Sequence, residues 1–146
     1  MDRNGFDVIG NVQTTVSALF GASHQTTILD LMEKGKVTGK IILKVDIKAH
    51  SSLHSVFQIG NGSLENTRGM FDGTINPFLQ FYKLKAGSET NDNKLLVLKT
   101  EPCFKTVNPL FKMVEISNAK LCNDIVDTPI FIDLWDHRTN GNHKLL

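Results

Sequence analysis

Two of the five histidines, the two cysteines and a serine cluster are the first residues of this chain to consider for covalent or metal chemistry. His137 and His143 stand six residues apart, and with Cys103 or Cys122 they do not make the ligand spacing of a structural zinc site. Asp136 directly precedes His137, but an acid–base pair needs a nucleophile, and Ser51, Ser52 and Ser55 lack the elbow motif that would present one. No glycine-rich loop of the Walker type is present to cradle a phosphate. The expectation is a protein that binds and not an enzyme. What remains is charge. Lys83, Lys85, Lys94, Lys99, Lys105 and Lys112 fall on or beside short strands, and Asp2, Asp7, Asp72 and Asp136 fall in or next to turns. Aspartate favours turns for backbone reasons alone. A lysine held near an anionic membrane contributes about 1 kcal/mol of attraction; the same lysines also make an ordinary solvated face.

Composition narrows the classes. The chain has 146 residues, enough for one domain with a sizeable core. It is 40% hydrophobic and 21% charged, with a net charge of +1. That balance argues against a dedicated nucleic-acid binder, which carries a basic excess. Cys103 and Cys122 are 19 residues apart and do not suggest a secreted disulfide framework, so two reduced thiols are expected. No apolar run approaches the roughly 18 residues of a membrane span. The residues after Met1 lack the basic and apolar regions of a signal peptide. The expected location is cytoplasmic, peripheral at membranes, with the oligomeric state open.

The elements that must position these residues read as strands. Lys40 to Lys48 alternates Ile41, Leu43, Val45 and Ile47 with Lys40, Lys44, Asp46 and Lys48, the pattern of a half-buried antiparallel strand. Val8–Val12, Thr26–Met32, Leu53–Ile59, Pro77–Leu84, Leu95–Thr100, Leu110–Ile116 and Thr128–Asp136 are further candidates. In the last of them Ile130, Ile132 and Leu134 alternate with Phe131, Asp133 and Trp135, which predicts one buried face. Residues 14–21 suggest a short helical turn ending at Gly21. Residues 33–39 read as a turn with two glycines, 60–73 as a Gly- and Asn-rich loop, and 117–127 as a polar connection. Eight short strands with turns between them predict an all-β sandwich or barrel.

Several motifs, in order, resemble a known family. Trp135-Asp136, with Asn140-Gly141 after it, resembles the end of strand six and the third calcium loop of a C2 domain. Asp7-Val-Ile-Gly10 stands where the copine family has Asp-Phe-Ile-Gly, near the end of its first C2 domain. Asn76-Pro-Phe-Leu-Gln-Phe-Tyr82, Lys99-Thr-Glu101 and Asn108-Pro-Leu-Phe-Lys112 resemble motifs of the second C2 domain. The chain thus looks like the junction of two consecutive copine C2 domains. The resemblance implies an eight-stranded antiparallel C2-like β-sandwich, residues 1–146 forming a single domain. Residues 1–32 would supply strands resembling the tail of the preceding domain, 33–39 a connector, and 40–146 strands one to six. In that reading the sandwich is circularly permuted and closed by its own N-terminal hairpin. The alternative is a truncated product with a loose N-terminal segment and an unpaired edge, which would invite association.

The resemblance also implies a ligand set. C2 domains gather calcium with carboxylates from loops at one end of the sandwich, and calcium takes six to eight oxygens. Here Met70 and Asn76 stand at the two first-loop positions, with Asp72 nearby. Asp136 matches the first aspartate of the third loop, while Arg138 and Lys144 replace the next two. Taken from those loops alone, calcium binding is weak or absent. If the N-terminal hairpin docks, Asp2, Asp7, Asp72, Asn76 and Asp136 could form a composite oxygen cluster. The resemblance further implies docking at anionic phospholipid membranes, through Lys83, Lys85, Lys94, Lys99 and Lys105, with Phe71 and Met70 as loop-tip anchors or as caps on the core. The alternatives are a calcium-insensitive protein–protein interaction module, or a degenerate copine fragment.

Overall fold

The computed structural model describes residues 6–49, 53–62, 64–85, 88 and 93–138. Eight strands dominate: β1 (Phe6–Thr15), β2 (Thr26–Glu33), β3 (Lys36–Ala49), β4 (Leu53–Gly62), β5 (Pro77–Leu84), β6 (Lys94–Lys99), β7 (Val114–Ser117) and β8 (Pro129–His137). Two five-residue helices interrupt them, α1 (Val16–Phe20) and α2 (Asn118–Cys122). All pairings are antiparallel, in the order β6-β5-β8-β1-β2-β3-β4-β7. β1 and β2 meet at Asn11↔Met32, whereas β1 follows β8 from Phe6↔His137 to Thr15↔Pro129. The sheet therefore folds over at β1–β2 into two layers, β6-β5-β8-β1 and β2-β3-β4-β7. The fold is all-β and C2-like, as expected.

The alternation of β3 does what its pattern demands. Ile41, Leu43 and Val45 are buried, while Lys40, Lys44 and Asp46 are exposed. Leu31, Phe57 and Ile59 join them from one layer, and Ile9, Leu79, Phe81, Ile130, Ile132 and Leu134 come from the other. A register shift between Val8 and Gly10 turns Ile9 into this core. Gly10 is required there, because a Cβ would lie 2.5 Å from Thr38 Oγ1 and 2.9 Å from Leu31 Cβ.

Local chemistry sets the element ends. The β2–β3 turn is shorter than the seven-residue turn expected from sequence. It consists of Lys34 and Gly35, both at positive φ (48° and 77°), which suits a two-residue hairpin, and residues 36–39 already belong to β3. Thr15 caps α1, its Oγ1 accepting from Ala18 N at 3.1 Å, and Gly21 ends it. Val16 and Leu19 plug the Pro129 end of the sandwich. α2 was expected as a polar connection. It forms because Ser117 caps it and Leu121 and Cys122 bury beneath it. Asn118 is also buried there and accepts from Ser55 Oγ at 2.6 Å. The expected strand 110–116 is also corrected. Leu110 makes an isolated bridge to Gly60, Phe111 turns inward, and regular pairing starts at Val114. Cys103 and Cys122 are free thiols.

Candidate functional site

Antiparallel pairing brings several segments to the end opposite the two helices. β8 ends there at Asp136 and His137, and β5 starts there because Pro77 pairs with Asp136. The loop 64–76 enters β5 at this end. The segment after β6 closes on it through Cys103 N to Pro77 O at 2.8 Å and Lys105 N to Asn76 Oδ1 at 2.8 Å.

Asp136 lies at the centre and is fully buried. Its Oδ1 accepts from Arg68 Nη2 at 2.6 Å and from the Asn76 backbone N–H at 2.7 Å. Its Oδ2 accepts from Arg68 Nε at 2.7 Å. This is the two-pronged geometry that makes arginine–carboxylate pairs strong and directional. Arg68 Nη2 also donates to His137 O at 2.9 Å. A second guanidinium stands close, with Arg138 Nε 3.4 Å from Asp136 Oδ2.

The other candidate ligands are arranged differently. Asn76 uses both ends of its amide within the protein: Nδ2 donates to His137 O at 3.0 Å, and Oδ1 takes the Lys105 N–H. Asp72 is exposed, and its backbone N–H closes a tight turn onto Gly69 O at 2.9 Å. The backbone of Asp7 pairs with Asp136 in register, and Asp2 lies outside the described residues. Among the described residues no three His, Cys, Asp or Glu side chains come together as a metal would need. The described donors do not fit a divalent ion: among the described residues the one fully buried carboxylate, Asp136, is already held by a guanidinium, Arg138 adds a second positive charge, and the Asn76 amide oxygen is engaged.

Arg68 is the residue that sequence reasoning missed. It sits in a Gly- and Asn-rich loop 68 positions from Asp136, so no local pattern ties the two. The loop around it is shaped by its own polar groups. Asn66 Nδ2 donates to Gly73 O at 3.1 Å, and Arg68 N donates to Asn66 Oδ1 at 3.3 Å. At the apex Met70 is 92% and Phe71 97% exposed, so they do not cap the core. On the neighbouring segment Phe104 is 64% exposed, its ring set edge-on to His137 at 6.2 Å.

The lysines separate onto different surfaces. Lys94 and Lys99 share the outer face of β6-β5-β8-β1, with Lys94 Nζ 4.1 Å from the Phe131 ring centre and Lys99 Nζ 4.6 Å from that of Phe78. Lys83 points the other way and donates to Asn123 Oδ1 at 2.6 Å, beside the end of α2. Lys85 is exposed just past β5, and Lys105 is exposed at the loop end with φ 52°. The outer face also corrects the expectation of one buried face on β8. Phe131 and Trp135 are only 4% and 6% exposed, covered in part by the lysine stems.

Asp133 sits in the middle of that outer face, opposite Gln80 and Asn11. Burial pushes its carboxyl up to about 6, with Lys94 opposing and Glu33 adding to the rise. A raised folded-state value means that the stability contribution is complete below the unfolded value of about 4, and is lost as pH rises through about 6. Asp133→Asn should therefore flatten the fall in stability between about pH 4 and 6 and stabilise the protein above it, by about 1–2 kcal/mol after allowing for partial exposure. Urea midpoints of both proteins at either side of that window test this. An equal offset at both pH values would contradict it.

No family model matches the chain. Curated relatives do match. The chain is similar to Copine-B of Dictyostelium discoideum, at 25% identity over 145 residues, covering 99% of this chain and 26% of the relative. It is similar to Copine-C of the same organism at 25% over 146 residues, covering 100% and 25%. Protein BONZAI 2 of Arabidopsis thaliana is 29% identical over 149 aligned positions, covering 94% and 24%. The chain spans about a quarter of the length of the curated relatives it matches.

Proposed function

Starting from a C2-like module related to the copines over nearly its whole length, we propose that the chain docks at anionic phospholipid surfaces through the Asp136 end, without calcium. The observation that carries this reading is the pair Met70–Phe71, adjacent and almost fully exposed at the apex of a loop whose base is hydrogen-bonded shut. A large apolar side chain costs little to hold in water singly, but two at the tip of an ordered loop suit insertion at a bilayer interface. Phe104 and Lys105 stand on the neighbouring segment, so an apolar tip is flanked by positive charge. Lys94 and Lys99 extend that charge along the outer face. Calcium adds nothing in this scheme, because the carboxylate that would hold it is paired.

Co-sedimentation with phosphatidylserine and phosphoinositide vesicles, in calcium and in chelator, tests the reading. Binding is expected in both and should weaken with salt, as exposed charges are screened within about 10 Å at 0.1 M. Burying a phenylalanine ring is worth about 1.5–3 kcal/mol, so Phe71→Ala should weaken vesicle binding roughly tenfold or more. Binding that appears only with calcium would overturn the calcium-free scheme. Absence of binding in both conditions would overturn the membrane reading and favour a protein partner.

A further inference from the structure

We propose that Arg68 is a tethered cation that takes the place of a metal ion at the loop end, holding the 64–76 loop in its ordered form with no ion added. This concerns how the end is held together, whatever surface it meets, and so stands apart from the membrane reading.

The cage around the guanidinium is made of oxygens. Two belong to the Asp136 carboxylate, at 2.6 and 2.7 Å, and one to His137 O at 2.9 Å; Asp72 O lies at the outer limit, 3.5 Å from Nη1. A carboxylate with backbone carbonyls is the donor set a hard cation takes. Here the cation is part of the chain. Its side chain is 13% exposed and its carboxylate partner 0%. It reaches from the loop base to the last residues of β8, two residues before the Met70–Phe71 apex. One side chain thereby ties the loop to the end of β8 through Asp136 and His137, and to the loop's own far side through Asp72. The difference from a metal is regulation: a bound ion can leave, whereas this cation leaves only when the loop unfolds. An entering dication would also face the positive charges of Arg68 and Arg138, the latter 3.4 Å from the same carboxylate.

The test compares Arg68→Lys with Arg68→Met, one keeping the charge and the other close in length but neutral. Thermal melts and amide hydrogen exchange are recorded for both and for the wild type, in about 10 mM calcium, which largely fills even weak extracellular-type sites, and in chelator. The wild-type midpoint is expected to be the same within about 1 °C in the two conditions. Arg68→Met should melt lower and exchange faster at residues 66–76, with β3 and β4 protected as before. Arg68→Lys should recover part of both losses, because an ammonium supplies the charge without the fork. A wild-type midpoint that climbs by several degrees with calcium would overturn the proposal. So would an Arg68→Met protein that matches the wild type, or one that matches Arg68→Lys, since the positive charge would then be doing nothing. Should Arg68→Met fail to fold while Arg68→Lys folds with a protected loop, the cation role stands; failure of both overturns a role specific to charge.

Discussion

Asp136→Ala is expected to lower stability by about 3–5 kcal/mol, which for a chain of this size lowers the melting midpoint by roughly 10 °C. The size of the effect follows from what the carboxylate leaves behind. Arg68 Nε and Nη2 lose acceptors at 2.7 and 2.6 Å, and the Asn76 N–H loses one at 2.7 Å. None of these donors is rehydrated freely, because the Arg68 side chain is 13% exposed and Asn76 is buried. A buried charge without its partner costs more than the pair was ever worth as a pair. The same reasoning separates pair from parts. Removing both groups, in an Arg68→Met/Asp136→Ala protein, should cost clearly less than the sum of the single changes, since neither charge is then stranded. Guanidinium chloride denaturation of the four proteins completes that cycle. Additive costs would mean that Asp136 and Arg68 stabilise the protein through separate neighbours and that the fork matters little.

Why Arg68 was invisible in the sequence, while the strand carrying Asp136 was not, is a matter of range. Strand β3 advertises itself within nine residues, because burial of Ile41, Leu43 and Val45 imposes a period of two on the chain itself. The fold class followed from several such strands, and the ordered motifs from Asp7-Val-Ile-Gly10 to Trp135-Asp136 indicated which sandwich. Asp136 was recognisable by its motif, and Asn76 likewise. Their partners were not. The fork between Arg68 and Asp136 spans 68 positions, and an arginine between Asn66 and Gly69 carries no local mark of a tertiary contact. Burial on the outer face was misjudged for a related reason. Alternation places Phe131 and Trp135 on the outer face, yet they are only 4% and 6% exposed, with Lys94 lying over the Phe131 ring. The short helix α2 was hidden because its apolar face is only Leu121 and Cys122, too few to show a helical period. The lysines, taken as one group in the sequence, divide by strand face, with Lys94 and Lys99 outward and Lys83 committed to Asn123.

The other large effect lies in the core. Phe81 on β5 and Phe57 on β4 come from opposite layers and meet edge-to-face, with ring centres 5.3 Å apart and planes at 61°. Both are fully buried. Phe81→Ala should cost about 3–5 kcal/mol, the usual range when a buried ring is truncated and its site collapses only in part. Collapse is hard at this position. β5 is pinned on one side by β8 from Pro77↔Asp136 to Lys83↔Ile130, and on the other by β6, so neither neighbour can slide into the space. Phe81→Leu, which keeps most of the volume, should cost much less, with about 0.5–1.5 kcal/mol attributable to the lost ring pair. Urea midpoints should fall with the slope unchanged, since the surface exposed on unfolding is the same. This variant also separates the core from the end proposed to dock. Phe81 faces inward, whereas Phe78 on the same strand faces outward beneath Lys99, and Asp136 pairs with Pro77 at the start of the strand. At a temperature where Phe81→Ala remains folded, vesicle binding should equal that of the wild type, while Phe71→Ala binds less with an unchanged melt. If Phe81→Ala lost binding while still folded, the loop end would depend on core packing as well as on the Arg68–Asp136 fork.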